Sequence, residues 1–238
     1  MQAYLYLLRL DMEQLARSWL VRIWVLLLIG PAGFFVAVAA NQRELASETL
    51  AAYVAAVLAP LSWLVVAVLS ASAVNGEADV VADSILSRSV TRRAYIWSKF
   101  TARVGVFLAV YVAVTVPLAY LVLRFAVDDA TIGGIVWGLL TVASLLVFLA
   151  AFGIALSAIF RNMLASVLTV LVSTVASGAV FQFLTLDWMS TTGVVSGLPE
   201  VFRGEVSVAE QLRVLVVFGA LSVIATVAGI AWFRRKDL

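Results

Sequence analysis

Six stretches of the chain carry no charged residue: 23–42, 49–76, 104–123, 130–160, 162–186 and 214–233. Each is at least 20 residues long. A bilayer core of about 30 Å is crossed by about 20 residues of helix. Every stretch therefore suffices for one crossing, and none for two. The pattern predicts an all-α polytopic membrane protein with six transmembrane helices.

The pattern differs at the start. Tyr4, Leu8, Met12, Leu15 and Trp19 recur at helical spacing and form one apolar face. Gln2, Arg9, Glu13 and Arg17 fall on the opposite face, the last three as i,i+4 pairs of opposite charge. Asp11 lies on the edge of the apolar arc. Residues 1–18 thus read as an amphipathic helix in the membrane plane, ahead of a transmembrane domain over 19–238. A charged extension of the first span is the alternative.

The connections are unequal. Turns are short near Asn41–Glu48, Arg124–Asp129 and Arg161–Asn162. Two segments have room for structure of their own, 75–99 and 185–212. In the first, Glu77 and Asp79 suit a helix N-terminus, and Ala78, Val81 and Ile85 share one face. Thr91 is placed to cap a new helix through Lys99 into the third span. In the second, Gly193, Gly197 and Pro199 are turn signals.

Composition agrees and excludes much. Apolar types make up 64% of 238 residues, mean hydropathy is +1.09, and charged residues are 13%. That charged share is about half that of a soluble domain. There is no cysteine and no histidine. Disulfides, thiolate or imidazole metal sites, and Ser-His or Cys-His catalysis are excluded. The residues outside the spans are too scattered for a soluble domain. Residues 1–22 lack the uninterrupted apolar centre of a cleavable signal.

Charge also orients the chain. With the first residues cytoplasmic, twelve of the 16 Lys and Arg fall on the cytoplasmic side and four outside. Eight of the 14 Asp and Glu fall outside. The positive-inside rule then puts both termini in the cytoplasm.

Within the spans there are no acids or bases of the kind that relay protons or sense voltage. Pro31, Pro60 and Pro117 are expected to kink the first three spans. Ser166, Thr169, Ser173 and Ser177 share one face of the fifth span. Gly134 with Gly138, and Gly153 with Ser157, are small-x-x-x-small pairs in the fourth. Close helix packing explains these small residues; the fifth-span stripe also suits a translocation path or subunit contact.

The loop beginning Glu77 continues Ile85-Leu86-Ser87-Arg88-Ser89-Val90-Thr91-Arg92, with Lys99 shortly after, and the sequence closes Phe233-Arg234-Arg235-Lys236-Asp237-Leu238. With an amphipathic leader and six spans, this chain resembles the permease subunits of type-two ATP-binding-cassette exporters. That family typically shows a glutamate, a Gly-Thr, a Leu-Leu-x-x-Pro-Val-x-Arg run and a lysine, and often ends Phe-x-Arg-Arg-Asp-Leu. Here Val80-Val81 replaces Gly-Thr and Ser89 replaces the proline.

The resemblance implies that residues 1–18 are an elbow helix and that Glu77 to Ser87 contains a coupling helix docking on separate cytoplasmic ATPase subunits. Glu77, Val81, Asp83, Ile85, Leu86, Arg88 and Arg92 would make that contact. A second permease subunit, identical or not, would complete the path in the cytoplasmic (inner) membrane. The 185–212 segment would form short helices outside. No catalytic residue, metal or cofactor is expected on this chain; ATP and magnesium would sit on the ATPase, consistent with the lack of a Gly-x-x-x-x-Gly-Lys-Ser/Thr loop. Membrane lipid is an expected neighbour and nucleic acid is not. A non-transporting scaffold or signalling subunit, or a self-sufficient carrier or channel, are the alternatives.

The topology is directly testable, because the chain offers a cysteine-free background. Single cysteines at Asn41, Asp128 and Glu205 are expected to react with an impermeant maleimide in sealed cells. Those at Ser84, Asn162 and Lys236 should react only after permeabilisation. Outside labelling at Ser84 would refute the orientation.

Overall fold

The computed structural model describes residues 2–75, 92–160 and 162–235. The described residues are mostly helical with short connections, and their one β feature is an isolated parallel bridge between Leu45 and Val127. Helix α1 is Gln2–Arg17 and α2 is Trp19–Gln42. Helix α3, Ala46–Tyr53, passes through a π turn at Val54–Leu58 into α4, Ala59–Asn75. Then come α5 (Arg92–Phe125), α6 (Ile132–Ile159) and α7 (Met163–Phe183). A 3₁₀ turn at Asp187–Met189, α8 (Thr191–Ser196) and α9 (Leu198–Arg203) precede α10, Val208–Arg235.

Among the described residues, six helices are long and apolar enough to cross a membrane: Trp19–Gln42, Ala46–Ser72, Ile96–Phe125, Ile132–Ile159, Met163–Phe183 and Val208–Trp232. Each overlaps one of the six uncharged stretches, and the sixth begins six residues before its stretch, taking in Glu210 and Arg213. The third span starts earlier than its stretch and takes in Lys99 and Arg103, both buried. Helix α5 begins directly after Thr91, where the helix start was expected.

The prolines are accommodated differently. Pro31 and Pro117 lie within continuous α-helix. Pro60 is the second residue of α4, separated from the π turn only by Ala59. A proline has no N–H and its ring crowds the carbonyl four residues back, so a wider turn just before Pro60 relieves that crowding.

The spans divide into an inner and an outer set. Between 44% and 56% of the residues in the apolar windows of the second, third and fourth spans are buried, against 17% to 22% in the first, fifth and sixth. Helix α6 is the hub and touches α4, α5, α7, α9 and α10. Small residues permit its close contacts. A Cβ on Gly153 would come within 2.7 Å of the Ser70 Cβ on α4, and one on Gly229 of α10 within 2.9 Å of the Ala155 Cα on α6. In a bilayer, where burying apolar surface gives little advantage between helices, such close approach supplies much of the attraction.

One end of the bundle is closed by backbone and side-chain bonds between distant segments. Ala46 N–H donates to the Val127 carbonyl at 3.0 Å, and Val127 N–H to that of Glu44 at 2.9 Å. The Asp129 carboxylate accepts from the Ser47 backbone N–H at 2.9 Å and from its hydroxyl, satisfying a free donor in the first turn of α3. Thr131 caps α6, its hydroxyl accepting from Gly134 N–H at 3.0 Å, while its own N–H donates to the Phe202 carbonyl at 2.9 Å. Helix α9 thereby lies across the start of α6, with Phe202 fully buried against Gly138.

Neighbouring glycines make this contact testable. A Cβ on Gly134 would stand 2.4 Å from the carbonyl oxygens of Val201 and Phe202, which cannot rotate away. Gly134→Ala is expected to lower the unfolding midpoint of detergent-purified protein, with a loss of about 1–3 kcal/mol typical of overpacking. A Cβ on Gly133 meets nothing within 4 Å. Gly133→Ala should leave the midpoint unchanged or raise it, because alanine favours helix by up to about 1 kcal/mol.

Candidate functional site

At the opposite end of the bundle, side chains from four helices meet where α4 ends and α5 begins. Helix α1 packs along the first turns of α5. The Tyr4 and Thr101 hydroxyls are 2.7 Å apart, and Lys99 Nζ donates to Asp11 Oδ1 at 2.5 Å. This ion pair is 88 residues apart in sequence, with side chains 4% and 5% exposed. Asp11 Oδ2 is buried and has no hydrogen-bond partner among the described residues.

Two further bonds tie α4 to its neighbours. Arg103 Nε on α5 donates to the Leu69 carbonyl at 2.8 Å, and Ser157 Oγ on α6 to the Ala71 carbonyl at 2.6 Å. Both carbonyls lie in the C-terminal part of α4, which carries the negative end of the helix dipole. A buried guanidinium there meets opposite partial charge and an acceptor together. A cavity of about 220 Å³ lies beside these groups, lined by Asp11, Gln14, Ser18, Ser72 and Arg103.

The physical demand here is strict. Removing a charge from water costs several kcal/mol, which only a close partner with good hydrogen bonds offsets. Lys99 and Arg103 are held at the base of a membrane-spanning helix because Asp11 and the α4 carbonyls are brought to them.

Sequence periodicity placed the centre of the α1 face elsewhere. The residues turned toward the protein are Tyr4, Leu7, Leu8, Asp11, Leu15 and Ser18, so Asp11 lies in the middle of the packed arc rather than at an edge. Met12 and Trp19, expected in the apolar face, are exposed together with Leu5. The apolar arc is shared: one half packs on α5, the other faces out. The signal that could have located the pair was an acid interrupting an apolar arc and a lysine opening a span, neither of which names the other.

The expected ATPase-contact residues Glu77, Val81, Asp83, Ile85, Leu86 and Arg88 lie outside the described residues. Arg92 opens α5, and its side chain lies outside them too. The flanks of that segment, α4 and α5, are the two helices that the polar junction joins.

The fifth-span stripe divides. On α7 the buried line is Ser166, Val170, Thr174 and Gly178, while Thr169, Ser173 and Ser177 lie half-buried along its edge. Ser166 is fully buried, 3.3 Å from the Leu156 carbonyl of α6. The other three hydroxyls donate to their own helix: Thr169 to Ala165, Ser173 to Val170 and Ser177 to Thr174, at 2.7, 3.0 and 2.8 Å. Such back-bonding removes the donor and leaves a small acceptor facing outward. Among the described residues, no group of three or more acidic side chains is placed to hold a metal ion.

No protein-family model matches the sequence, and no curated protein matches it.

The Asp11–Lys99 pair predicts an asymmetric double-mutant cycle. Lys99→Met leaves a buried carboxylate without its cation and is expected to destabilise by about 3–5 kcal/mol. Asp11→Leu combined with Lys99→Met removes both charges and should recover most of the lost unfolding midpoint. If the double variant were no more stable than Lys99→Met alone, the pair would not be what holds α1 to α5.

Proposed function

We propose that this chain is a membrane-spanning permease subunit of an ATP-driven exporter, working as a pair and coupled through residues 77–92 to separate ATPase subunits. The observation that carries this reading is the junction linking α4, α5, α6 and α1 around the two helix ends that flank residues 76–91. The six spans, and the loop and terminal motifs that resemble the exporter permeases, support the same reading.

The junction is suited to passing a push from that segment into the bundle. Arg103 couples the start of α5 to α4, Ser157 couples α4 to α6, and Lys99 carries α1 with α5. A displacement of the segment therefore moves the bases of these helices as one body. Halfway along, the π turn ahead of Pro60 lacks regular helix bonding and gives α4 a place to tilt relative to α3. Helix α1 is then the elbow, with Leu5, Met12 and Trp19 facing lipid at the cytoplasmic surface of the inner membrane. The edge of α7 bearing Thr169, Ser173 and Ser177 borders the translocation path or the second subunit. ATP and magnesium bind the partner ATPase, and this chain supplies the path and its two states.

The decisive position is Ile85. Interfaces concentrate their energy in a few buried apolar anchors, each worth more than about 1 kcal/mol on truncation. Ile85→Asp is expected to abolish co-purification of the ATPase subunit, or to separate its hydrolysis from transport, while membrane insertion and yield stay normal. Glu77→Gln should weaken association less, by an amount that shrinks at high salt. Intact association and coupled transport in Ile85→Asp would refute the coupling role and favour a scaffold or self-sufficient carrier.

A further inference from the structure

At the end of the bundle away from the polar junction, a cavity of about 350 Å³ lies between α6, the α8–α9 segment and the start of α10. That volume is within the range of small-molecule pockets, about 300–1,000 Å³. Its walls are chiefly apolar, with Val194, Val201 and Val214 among them, and Trp188 at one side.

The polar groups are unevenly matched. Gln211 lines the cavity and is 4% exposed. Its Nε2 donates to the Val206 carbonyl at 2.9 Å, and a carbonyl can only accept, so the amide orientation is fixed. Its Oε1 is left buried with no hydrogen-bond partner among the described residues. A buried acceptor in that state costs about 1–3 kcal/mol, and because Oε1 itself has no surface open to the cavity, a donor there would recover it after a small turn of the side chain. Glu200 and Glu210 also line it, both exposed and neither in an ion pair among the described residues. Arg213 is the basic residue on the wall, and its guanidinium lies 3.5 Å from the centre of the Trp188 ring. Two carboxylates and an amide oxygen thus stand against one guanidinium already packed on an aromatic face. The cavity lining carries two carboxylates against one guanidinium, a net negative charge.

We propose that this cavity is a binding site for a small amphipathic amine, its ammonium donating toward Gln211 and the Glu200–Glu210 rim and its apolar body lying among the valines. A carboxylate ligand would meet like charge from two sides. An uncharged alcohol would offer one donor and no charge. The site lies within a single subunit and is separate from the junction, so it does not depend on the exporter reading.

Binding can be measured without an ATPase. The full chain in phosphatidylcholine nanodiscs is titrated calorimetrically with phenethylamine, 2-phenylethanol and 3-phenylpropionate, three molecules of similar size, with empty nanodiscs subtracted. Saturable binding is expected for phenethylamine, at least tenfold tighter than for phenylpropionate, with the alcohol between. Gln211→Leu and Glu210→Gln should each weaken phenethylamine about three- to tenfold, as loss of a charge-assisted hydrogen bond or a rim charge does. Glu210 is exposed, so its variant is expected to fold normally even if Gln211→Leu does not. Equal affinity for the three ligands, preference for phenylpropionate, or unchanged phenethylamine affinity in Glu210→Gln would overturn the proposal.

Discussion

A backbone amide or carbonyl without a partner costs several kcal/mol in hydrocarbon, and an unpaired charge costs more. Long helices meet the first demand along their length but leave it unmet at their ends, where four donors or four acceptors remain. The structure is organised around those ends. Asp129 satisfies α3 from across the chain, Thr131 caps α6, and Asn162 caps α7, its side chain accepting from Leu164 N–H at 2.9 Å. Elsewhere the bonds join helices along their length: Arg103 and Ser157 add second donors to the Leu69 and Ala71 carbonyls of α4. At the end closed by Ala46, Val127, Asp129 and Thr131, such end-matching bonds set which helix ends lie together.

The number and approximate position of the spans were legible because they follow from a local property, the absence of charge over 20 or more residues. The start of the third was not, because Lys99 and Arg103 are buried within it. The α1 helix was legible from its 3.6-residue period. Of the turn signals after α7, Gly197 does separate α8 from α9, whereas Gly193 lies within α8 and Pro199 in the first turn of α9. What could not be read is pairing at long range. Asp11 looked like a flaw in an apolar arc because its partner is 88 residues away. Likewise the stripe from Ser166 to Ser177 was drawn from residue type, whereas packing follows the line Ser166, Val170, Thr174, Gly178. A valine there packs as closely as a serine, and composition alone cannot rank the two. Gln211 and Trp188 gave no signal, since a single amide and a single indole in a loop-rich segment are ordinary.

Small residues have two physical uses here. At Gly153 and Gly229 they let helix axes approach until side chain meets backbone, which is the usual role of such residues in a bilayer. At Gly134 and Gly138 they receive something other than a span: the backbone and ring of Phe202, carried on a six-residue helix. Without that seat, α9 would be too short to hold its own conformation, because helices under about 12 residues are marginal in water. The cap segment is therefore stable only as an attachment to α6.

That attachment connects the two ends of the molecule. Helix α6 has 28 residues, about 42 Å at 1.5 Å per residue. Its first turns hold α9, and its last turns meet α4 through Ser157 and Gly153. Packed interiors do not deform smoothly, so a shift of α4 at the junction must either slide along α6 or carry α6 with it. Sliding is resisted by the Ser157 bond and by the close seat that Gly153, having no Cβ, leaves for Ser70. Movement of α6 as a body displaces the seat of Phe202 and with it one wall of the Gln211 cavity. On the proposed reading, a push delivered between α4 and α5 thus reaches the far side through one stiff helix, and occupancy of the far cavity would oppose or favour the same motion by the linkage that any two sites on one moving body must obey.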